Sequence, residues 1–280
     1  MTQRFSDLKK FCDSADADTS FLAEHEVTVI GQGGVSHRIT KIGNGEPVIF
    51  IPMLHELNFL YTPVMKSLSE RYSAYTYSPA LKSVGMTTPE HRANDLASIL
   101  EAVSSHPVHL VAWSDSSAVI CSLLESRPAI VKSAAFIAVP DRYIFKFPIN
   151  LGLDLLYRFP FERLPIRRVL LRCLGSLMGG VAIPPRFVEA RAATIPDLVR
   201  IFKDACLPCI KKHSPLKHKA PCSTLVIGGD SDKVSSIEQS RRFAEAMGAH
   251  LVVLRGGDHF PTYTQPDQVS AALMDFITPK

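Results

Sequence analysis

Short apolar segments alternate with longer amphipathic ones along most of the chain. The short segments, such as residues 108–111, are rich in β-branched and aliphatic residues, which is typical of strands buried on both faces of a parallel sheet. The longer ones, such as residues 89–103, repeat apolar residues every three or four positions, as core-facing helices do. The alternation predicts an α/β fold with a mostly parallel, doubly wound sheet, whose ligand sites lie beyond the carboxyl ends of the strands.

This pattern can be followed segment by segment. Strands are predicted at residues 26–30 and 37–41, as an opening hairpin, and at 47–54, 73–79, 108–111, 131–140, 223–229 and 249–256. Helices are predicted at residues 60–72, 89–103, 118–124, 236–248 and 266–277. Helices between successive strands are the connections that parallel strands require.

Residues 141–219 depart from the alternation. They contain no convincing strand, and their apolar residues recur at helical spacing between prolines. We therefore expect a core formed by residues 1–140 and 220–280, and a helical cap at residues 141–219 that covers the active-site face as a lid. Three roles are open for the large apolar residues of the cap, of which Phe145 is one. They form the cap's own core or line an apolar pocket. Those near residues 163–177 could instead belong to a membrane-surface helix. An apolar patch on the cap would also suit a homodimer interface.

The strand at residues 108–111 and the helix at 118–124 are separated by the stretch Trp-Ser-Asp-Ser, which contains Ser114. A serine at such a turn projects from a sharp corner, in front of a helix N-terminus that favours negative charge. The turn requires small residues on either side, and Ala112 and Ser116 occupy the positions that are usually glycine. Ser114 is therefore either an ordinary helix cap or the nucleophile of acyl chemistry.

Two later strands end in residues that would complete this chemistry. Asp230 and Asp232 follow the strand at residues 223–229, and His259 follows the strand at 249–256. A histidine can accept the serine proton and later return it, while a carboxylate holds the imidazole in one tautomer. Serine, aspartate and histidine also occur in the chain order that a serine triad on this kind of sheet requires.

With these residues in place, the sequence resembles the α/β-hydrolase superfamily over nearly its whole length. The resemblance rests on five segments, PVIFIPMLHELNFLYTPVMKSL, HLVAWSDSSA, ESRPAIVKSAAFIAVP, CSTLVIGGDSDKV and GGDHFPTYTQPDQVSAALMDFI. It implies an α/β-hydrolase fold with an inserted helical cap, with Ser114 as nucleophile and His259 as base. The family spacing favours Asp232 as the acid, because it is the third residue after the glycine that ends its strand. Asp230 and Asp141 are the alternative acids.

The resemblance also implies that the backbone N–H groups of Leu54 and Asp115 form the oxyanion hole. The sequence departs from the family pattern here, since Pro-Met stands at residues 52–53 in place of the common His-Gly, and the serine turn lacks both glycines. The residues expected to line the substrate pocket are Met53, His55, Phe145 and Phe260. His55 either adds a hydrogen-bond donor or only lines the entrance.

These features predict a serine hydrolase that cleaves a lipophilic ester, thioester or lactone through an acyl-enzyme, without a cofactor or metal. The apolar cap favours a small lipophilic acyl substrate. The same residues would serve a C–C hydrolase, an acyltransferase or a cyclase, because these enzymes differ in pocket shape and water access. The missing glycines keep a ligand-binding or receptor-type protein on a hydrolase scaffold as the alternative from another class.

Composition narrows the classes of partner. The 280 residues carry a formal net charge of +4, and the dense basic run at residues 211–219 has no interleaved aromatic residues, so we expect no nucleic-acid partner. There is no run of about eighteen apolar residues and no signal-peptide core, so we expect a cytoplasmic protein without an integral membrane segment. The six cysteines are expected to be reduced. Cys206 and Cys209 have redox or metal-ligand spacing, or mark a helix terminus.

Overall fold

The computed structural model describes residues 8–31, 34–52, 55–78, 88–144, 151 and 206–278, with the backbone alone at residues 8–10 and 55–56. The described residues form an eight-stranded sheet. Its strands in chain order are β1 (Glu26–Ile30), β2 (Ser36–Ile42), β3 (Glu46–Ile51), β4 (Tyr72–Tyr77), β5 (Val108–Trp113), β6 (Val131–Ile137), β7 (Ser223–Gly229) and β8 (His250–Leu254). In space they follow the order β1-β2-β4-β3-β5-β6-β7-β8.

The sheet is mostly parallel, as the sequence predicts. Strands β1 and β2 form an antiparallel hairpin, and β2 pairs antiparallel with β4. The remaining neighbours, from β4 to β8, are parallel. Because parallel strands point the same way, the carboxyl ends of β3, β5, β6, β7 and β8 meet at one edge of the sheet.

Helices cover both faces of the sheet. They are α1 (Leu8–Glu24), α2 (Thr62–Leu68), α3 (Pro89–Val103), α4 (Ser117–Ser126), α5 (Leu207–Lys212), α6 (Ile237–Met247), α7 (Pro261–Thr264) and α8 (Pro266–Ile277), with 3-10 turns at His55–Tyr61, Ser114–Ser116 and Pro128–Ile130. One apolar core lies beneath α1, α2, α7 and α8, and a second beneath α3, α4 and α6. Strand β3 contributes to both, since Val48 and Phe50 face the first core, while Ile49 and Ile51 face the second.

Local signals in the sequence define the helix ends. Thr88 caps α3 by accepting a hydrogen bond from the backbone N–H of His91. Ser236 and Gln239 form a capping box at the start of α6. Gly248 caps the C-terminus of α6, and its φ of 66° suits a residue without a side chain. These signals explain why the helices predicted at residues 89–103 and 236–248 agree closely with α3 and α6.

Helix α1 is absent from the predicted elements, because its sequence is mostly polar. Its buried side chains are Phe11, Ala15 and Leu22, and their separations of four and seven residues place them on one helical face. The ring of Phe11 contacts Tyr263 edge-on, with centroids 5.6 Å apart. The signal for this helix is therefore a narrow apolar stripe rather than an apolar segment.

The predicted cap at residues 141–219 lies largely outside the described residues, and its boundaries stay a prediction. The described ends of this segment lie side by side. His213 Nε2 donates a hydrogen bond to the carbonyl of Pro140 at 2.7 Å, and the His213 ring contacts Tyr143 with centroids 5.2 Å apart. The segment therefore leaves and rejoins the core next to the carboxyl end of β6.

Candidate active site

Ser114 lies at the turn between β5 and α4, beyond the carboxyl end of its strand. Its φ of 55° falls in the left-handed region, which costs a residue with a side chain about 1–3 kcal/mol and persists only where the surroundings enforce it. The hydroxyl of Ser116 braces the turn by donating to the carbonyl of Trp113 at 2.7 Å and accepting from its N–H at 3.0 Å. The turn thus directs the Ser114 side chain away from the helix that follows.

Side chains from three strand ends form one hydrogen-bonded relay. Ser114 Oγ lies 2.9 Å from His259 Nε2, and His259 Nδ1 lies 2.9 Å from Asp232 Oδ2. When Nδ1 carries the proton and donates a hydrogen bond to the carboxylate, Nε2 presents a lone pair to the serine hydroxyl. All three side chains are buried, so water does not compete for these bonds. The arrangement can accept the Ser114 proton as its oxygen attacks an electrophile.

Asp232 is held in its ionised form by surrounding donors. Its Oδ1 accepts from the N–H groups of Val234 and Ser235 at 2.7 and 3.0 Å, and its Oδ2 accepts from the Ser235 hydroxyl at 2.7 Å. Burial raises the pKa of Asp232, but the charge and hydrogen bond of His259, together with the donors from Ser235, bring the pKa below its usual value. The carboxylate is therefore charged at neutral pH and can stabilise an imidazolium.

The two alternative acids are engaged elsewhere. Asp230 accepts hydrogen bonds from the N–H of Gly256 at 2.7 Å and from the hydroxyl of Ser231 at 3.1 Å, which links the loops after β7 and β8. Asp141 accepts two hydrogen bonds from the guanidinium of Arg242, at 2.9 and 3.1 Å. Of the three candidates, Asp232 is the carboxylate hydrogen-bonded to His259.

Trp113 joins the serine turn to the histidine loop. Its indole N–H donates to the backbone carbonyl of His259 at 2.6 Å, and its ring lies 5.0 Å from the ring of Phe260. Trp113 and Phe260 are both almost fully buried, so Phe260 packs in the core behind the site. A contact between Phe260 and substrate stays a prediction.

A second hydroxyl reaches Ser114 from the start of the segment predicted to form the cap. The phenol oxygen of Tyr143 lies 3.0 Å from Ser114 Oγ. Burial raises the pKa of Tyr143 well above its usual value, and the negative charge of Asp115 acts in the same direction. Tyr143 therefore stays protonated and able to donate. The sequence carries no local signal for this contact, because Tyr143 follows β6 by six residues in an irregular stretch.

A buried charged group lies beneath the serine turn. We call Arg92, Asp115, Cys206 and Cys209 the elbow cluster; all four are almost fully buried. The Arg92 guanidinium donates to the carbonyl of Pro52 and, at 3.3 Å, to the sulfur of Cys209. Burial raises the pKa of Asp115 to about 7, although the charge of Arg92 and the thiol of Cys206 act in the opposite direction. Burial likewise raises the pKa of Cys209 to about 11, so its thiol is neutral.

The sequence does contain a signal for Arg92. It lies on the same face of α3 as the buried residues Leu96 and Ile99, and a charged residue at a core-facing position requires a buried partner. The five cysteines of the described residues form no disulfide; Cys173 lies outside them. Cys206 immediately precedes α5, and Cys209 lies in its first turn.

Several predicted residues are not described. Met53, Leu54 and Phe145 lie outside the described residues, and His55 is described by its backbone alone, at the start of the 3-10 turn after β3. Within the described ranges, no group of three or more histidine, cysteine or acidic residues is placed to hold a metal ion. No helix in that part of the chain is long and apolar enough to cross a membrane.

Comparison with known proteins gives a consistent family and a wide range of activities. The sequence model of the alpha/beta hydrolase family matches residues 53–272. No curated protein matches the chain by sequence. Similar solved structures include a bromoperoxidase from Bacillus anthracis, with 17% identity and a TM-score of 0.68 over 90% of this chain and 99% of that one.

Two further similar structures carry other names. An esterase from Thermogutta terrifontis has 15% identity and a TM-score of 0.67 over 90% of this chain and 97% of its own. An epoxide hydrolase from Vigna radiata has 18% identity and a TM-score of 0.68 over 91% of this chain and 98% of its own. At such identities the likeness shows the fold, and the reaction has to be argued from the site.

Proposed function

This chain belongs to the alpha/beta hydrolase family, and we propose that it is a serine hydrolase acting on a small lipophilic ester, thioester or lactone. The observation that carries the proposal is the relay in which Ser114 Oγ, the two nitrogens of His259 and Asp232 Oδ2 are joined by two hydrogen bonds of 2.9 Å. The same relay, on a serine held at a φ of 55°, provides the nucleophile, base and orienting carboxylate that acyl transfer requires.

In the proposed first step, Ser114 Oγ attacks the acyl carbon while His259 Nε2 takes the hydroxyl proton. Asp232, ionised at neutral pH, stabilises the imidazolium. The bond to the leaving group then breaks, the electron pair goes to the leaving atom, and His259 returns the proton to it. In the second step His259 activates water, which attacks the acyl-enzyme and releases the acid and the free serine.

A serine at this position favours acyl substrates over the epoxides named for one similar structure. An alkoxide that opened an epoxide would leave an ether on Ser114, and activated water does not cleave an ether. An alkoxide that attacks a carbonyl leaves an ester, which water cleaves with the same base. Only the second product regenerates the enzyme, so the identity of residue 114 supports acyl transfer.

Two backbone N–H groups are proposed to stabilise the oxyanion. Asp115 supplies one, because it lies in the first turn after Ser114, where backbone N–H groups have no partner within the helix. Leu54, which is outside the described residues, supplies the other by the family resemblance. The preference for a lipophilic acyl group rests on the many large apolar residues in the cap sequence.

The test is covalent labelling with a fluorophosphonate probe, measured by intact mass. The wild type should gain one adduct, and Ser114→Ala and His259→Ala should gain none. Ser122→Ala is the matched control, because it removes a serine on α4, the helix that follows Ser114, and should label like the wild type. A folded wild type that stays unlabelled would overturn the proposal in favour of ligand binding on a hydrolase scaffold. Labelling would be followed by p-nitrophenyl esters of increasing acyl length, where a preference for short, polar acyl groups would contradict the lipophilic substrate.

A further inference from the structure

Ser114 has two hydrogen-bond partners, although its hydroxyl has a single proton. His259 Nε2 lies 2.9 Å and the Tyr143 hydroxyl 3.0 Å from Ser114 Oγ. In the proposed mechanism the serine proton is directed to His259, which must accept it. The Tyr143 hydroxyl is therefore the donor in the second contact, and Ser114 Oγ is the acceptor.

Tyr143 is fixed in place by the two ends of the cap segment. Its ring lies edge-on to His213, with centroids 5.2 Å apart. The His213 ring stacks on Phe243, with centroids 5.6 Å apart and planes 13° from parallel. Burial lowers the pKa of His213 to about 4, so this ring is neutral, and its Nε2–H donates to the carbonyl of Pro140. These contacts help to hold the Tyr143 phenol in position.

The strand order places Tyr143 on a particular side of the nucleophile. Strand β5, which carries Ser114, lies between β3 and β6. The proposed oxyanion segment that contains Leu54 follows β3, whereas Tyr143 follows β6. The segments that carry Leu54 and Tyr143 thus leave the sheet from the two strands that flank β5. With the oxyanion on the β3 side, as the proposed role of Leu54 requires, the Tyr143 hydroxyl would face another substituent of the acyl carbon.

We propose that Tyr143 is a catalytic residue that donates a hydrogen bond to Ser114 Oγ in the resting site and to the leaving-group oxygen of an ester during acylation. This rests on the proposed serine-hydrolase function. As the bond between the acyl carbon and the leaving oxygen breaks, its electron pair moves to that oxygen, and the proton taken from Ser114 is delivered to it by His259. Tyr143 keeps its own proton, consistent with its raised pKa, and stabilises the developing negative charge.

The test compares the wild type with Tyr143→Phe on hexanoate esters that share one acyl group and differ in the leaving alcohol. The alcohols are p-nitrophenol, phenol, trifluoroethanol and ethanol, in order of increasing basicity. A basic alcohol carries more negative charge as it leaves, so the loss of a donor costs more. We expect kcat/KM to fall only a few-fold for the p-nitrophenyl ester and about 100-fold for the ethyl ester, the size typical for removal of one such donor.

The matched control is Tyr72→Phe, which removes a phenol that hydrogen-bonds to Thr278 at the opposite end of the parallel strands from Ser114. It should leave the whole series unchanged. An equal loss for every ester in Tyr143→Phe would overturn the proposal. A residue that only positions Ser114 affects the attack on every ester equally, whatever its leaving alcohol. Unchanged or faster rates would overturn it as well. Fluorophosphonate labelling of Ser114 in the same variant tests the serine-hydrolase function separately, since the fluoride of that probe leaves readily without a donor.

Discussion

Asp115 and Asp232 are buried carboxylates near the proposed nucleophile, and their surroundings differ. Asp232, in the loop after β7, accepts hydrogen bonds from two backbone N–H groups, one hydroxyl and His259, and its pKa is lowered. Asp115, in the turn after β5, has Arg92 and the Cys206 thiol as neighbours, and its pKa is raised to about 7. Burial acts in the same direction on both, so the number of directed donors decides which carboxylate stays charged.

The difference separates two kinds of buried charge. The donors around Asp232 come largely from its own loop, which means that the loop can hold an anion before the histidine is charged. Asp115 depends instead on Arg92, which is also tied to the carbonyl of Pro52 and the sulfur of Cys209. The first arrangement suits a carboxylate that takes part in chemistry, and the second suits one that fixes neighbouring segments.

The largest expected effect is on the activity of Asp232→Asn. An asparagine amide would donate to His259 Nδ1 and favour the tautomer with a proton on Nε2, which cannot accept from Ser114. We expect kcat/KM for an ester substrate to fall about 10³–10⁴-fold with little change in KM. Asp230→Asn, two residues earlier and bonded to Gly256, is the matched control and should stay within a few-fold of the wild type. Comparable losses in the two variants would mean that the loop, and not the acid, was disturbed.

The next effect is on the stability of Arg92→Met. Methionine has a similar length but cannot donate to the Pro52 carbonyl or to the sulfur of Cys209, and it removes the positive charge that favours the ionised form of Asp115. Leaving a buried carbonyl without its donor typically costs about 1–3 kcal/mol in the free energy of unfolding, which urea denaturation would measure. Arg92→Met combined with Asp115→Asn should recover part of this loss, because no uncompensated carboxylate remains.

Arg242→Met provides the surface control for that experiment. Arg242 forms its ion pair with Asp141 at the protein surface, where water screens the two charges and such pairs contribute little to stability. A loss in Arg92→Met no greater than in Arg242→Met would show that the elbow cluster is solvated or that Asp115 carries no charge. The activity of Arg92→Met should be measured as well. A loss of activity would show that catalysis depends on how Arg92 holds the ends of β3 and β5.

The sequence predicts the framework of this site better than its surroundings. The strand ends that carry Ser114, Asp232 and His259 follow from apolar segments and their chain order, because topology places the carboxyl ends of parallel strands together. The preference for Asp232 over Asp230 rests on family spacing and stays a prediction; in the structure Asp232 is the one of the two that lies within hydrogen-bonding distance of His259. Helix α1 escapes prediction because three buried side chains among polar neighbours form a weak pattern.

Contacts made across the fold are not predictable in this way. Tyr143 reaches Ser114 from an irregular stretch, and no spacing along the chain encodes a distance between loops. Arg92 is predictable only in part, because its place on the buried face of α3 indicates a partner without identifying it. The sequence pattern encodes which face is buried, whereas the identity of a partner depends on tertiary packing.

The remaining expected effect is a pH-dependent difference in stability between the wild type and Asp115→Asn. Asp115 has a folded pKa of about 7, above its ordinary value of 3.8. Between these two pH values the unfolded carboxyl is ionised and the folded one is protonated, so the folded state binds more protons and wild-type stability falls as pH rises. The asparagine side chain of the variant does not titrate, so the free energy of unfolding of this variant should rise relative to the wild type. The slope is at most about 1.4 kcal/mol per pH unit, and the difference levels off above pH 7.

Urea denaturation at pH 4.5, 6 and 7.5 would measure this slope, and Asp232→Asn supplies the opposite case. The pKa of Asp232 is lowered in the fold, so this group contributes stability above its unfolded pKa that is lost as pH falls through the folded pKa. The stability of Asp232→Asn relative to the wild type should therefore decrease as pH rises through the acidic range. A difference between Asp115→Asn and the wild type that stays constant with pH would mean that Arg92 keeps Asp115 ionised in the fold. The two carboxylates would then differ in their partners but not in their charge.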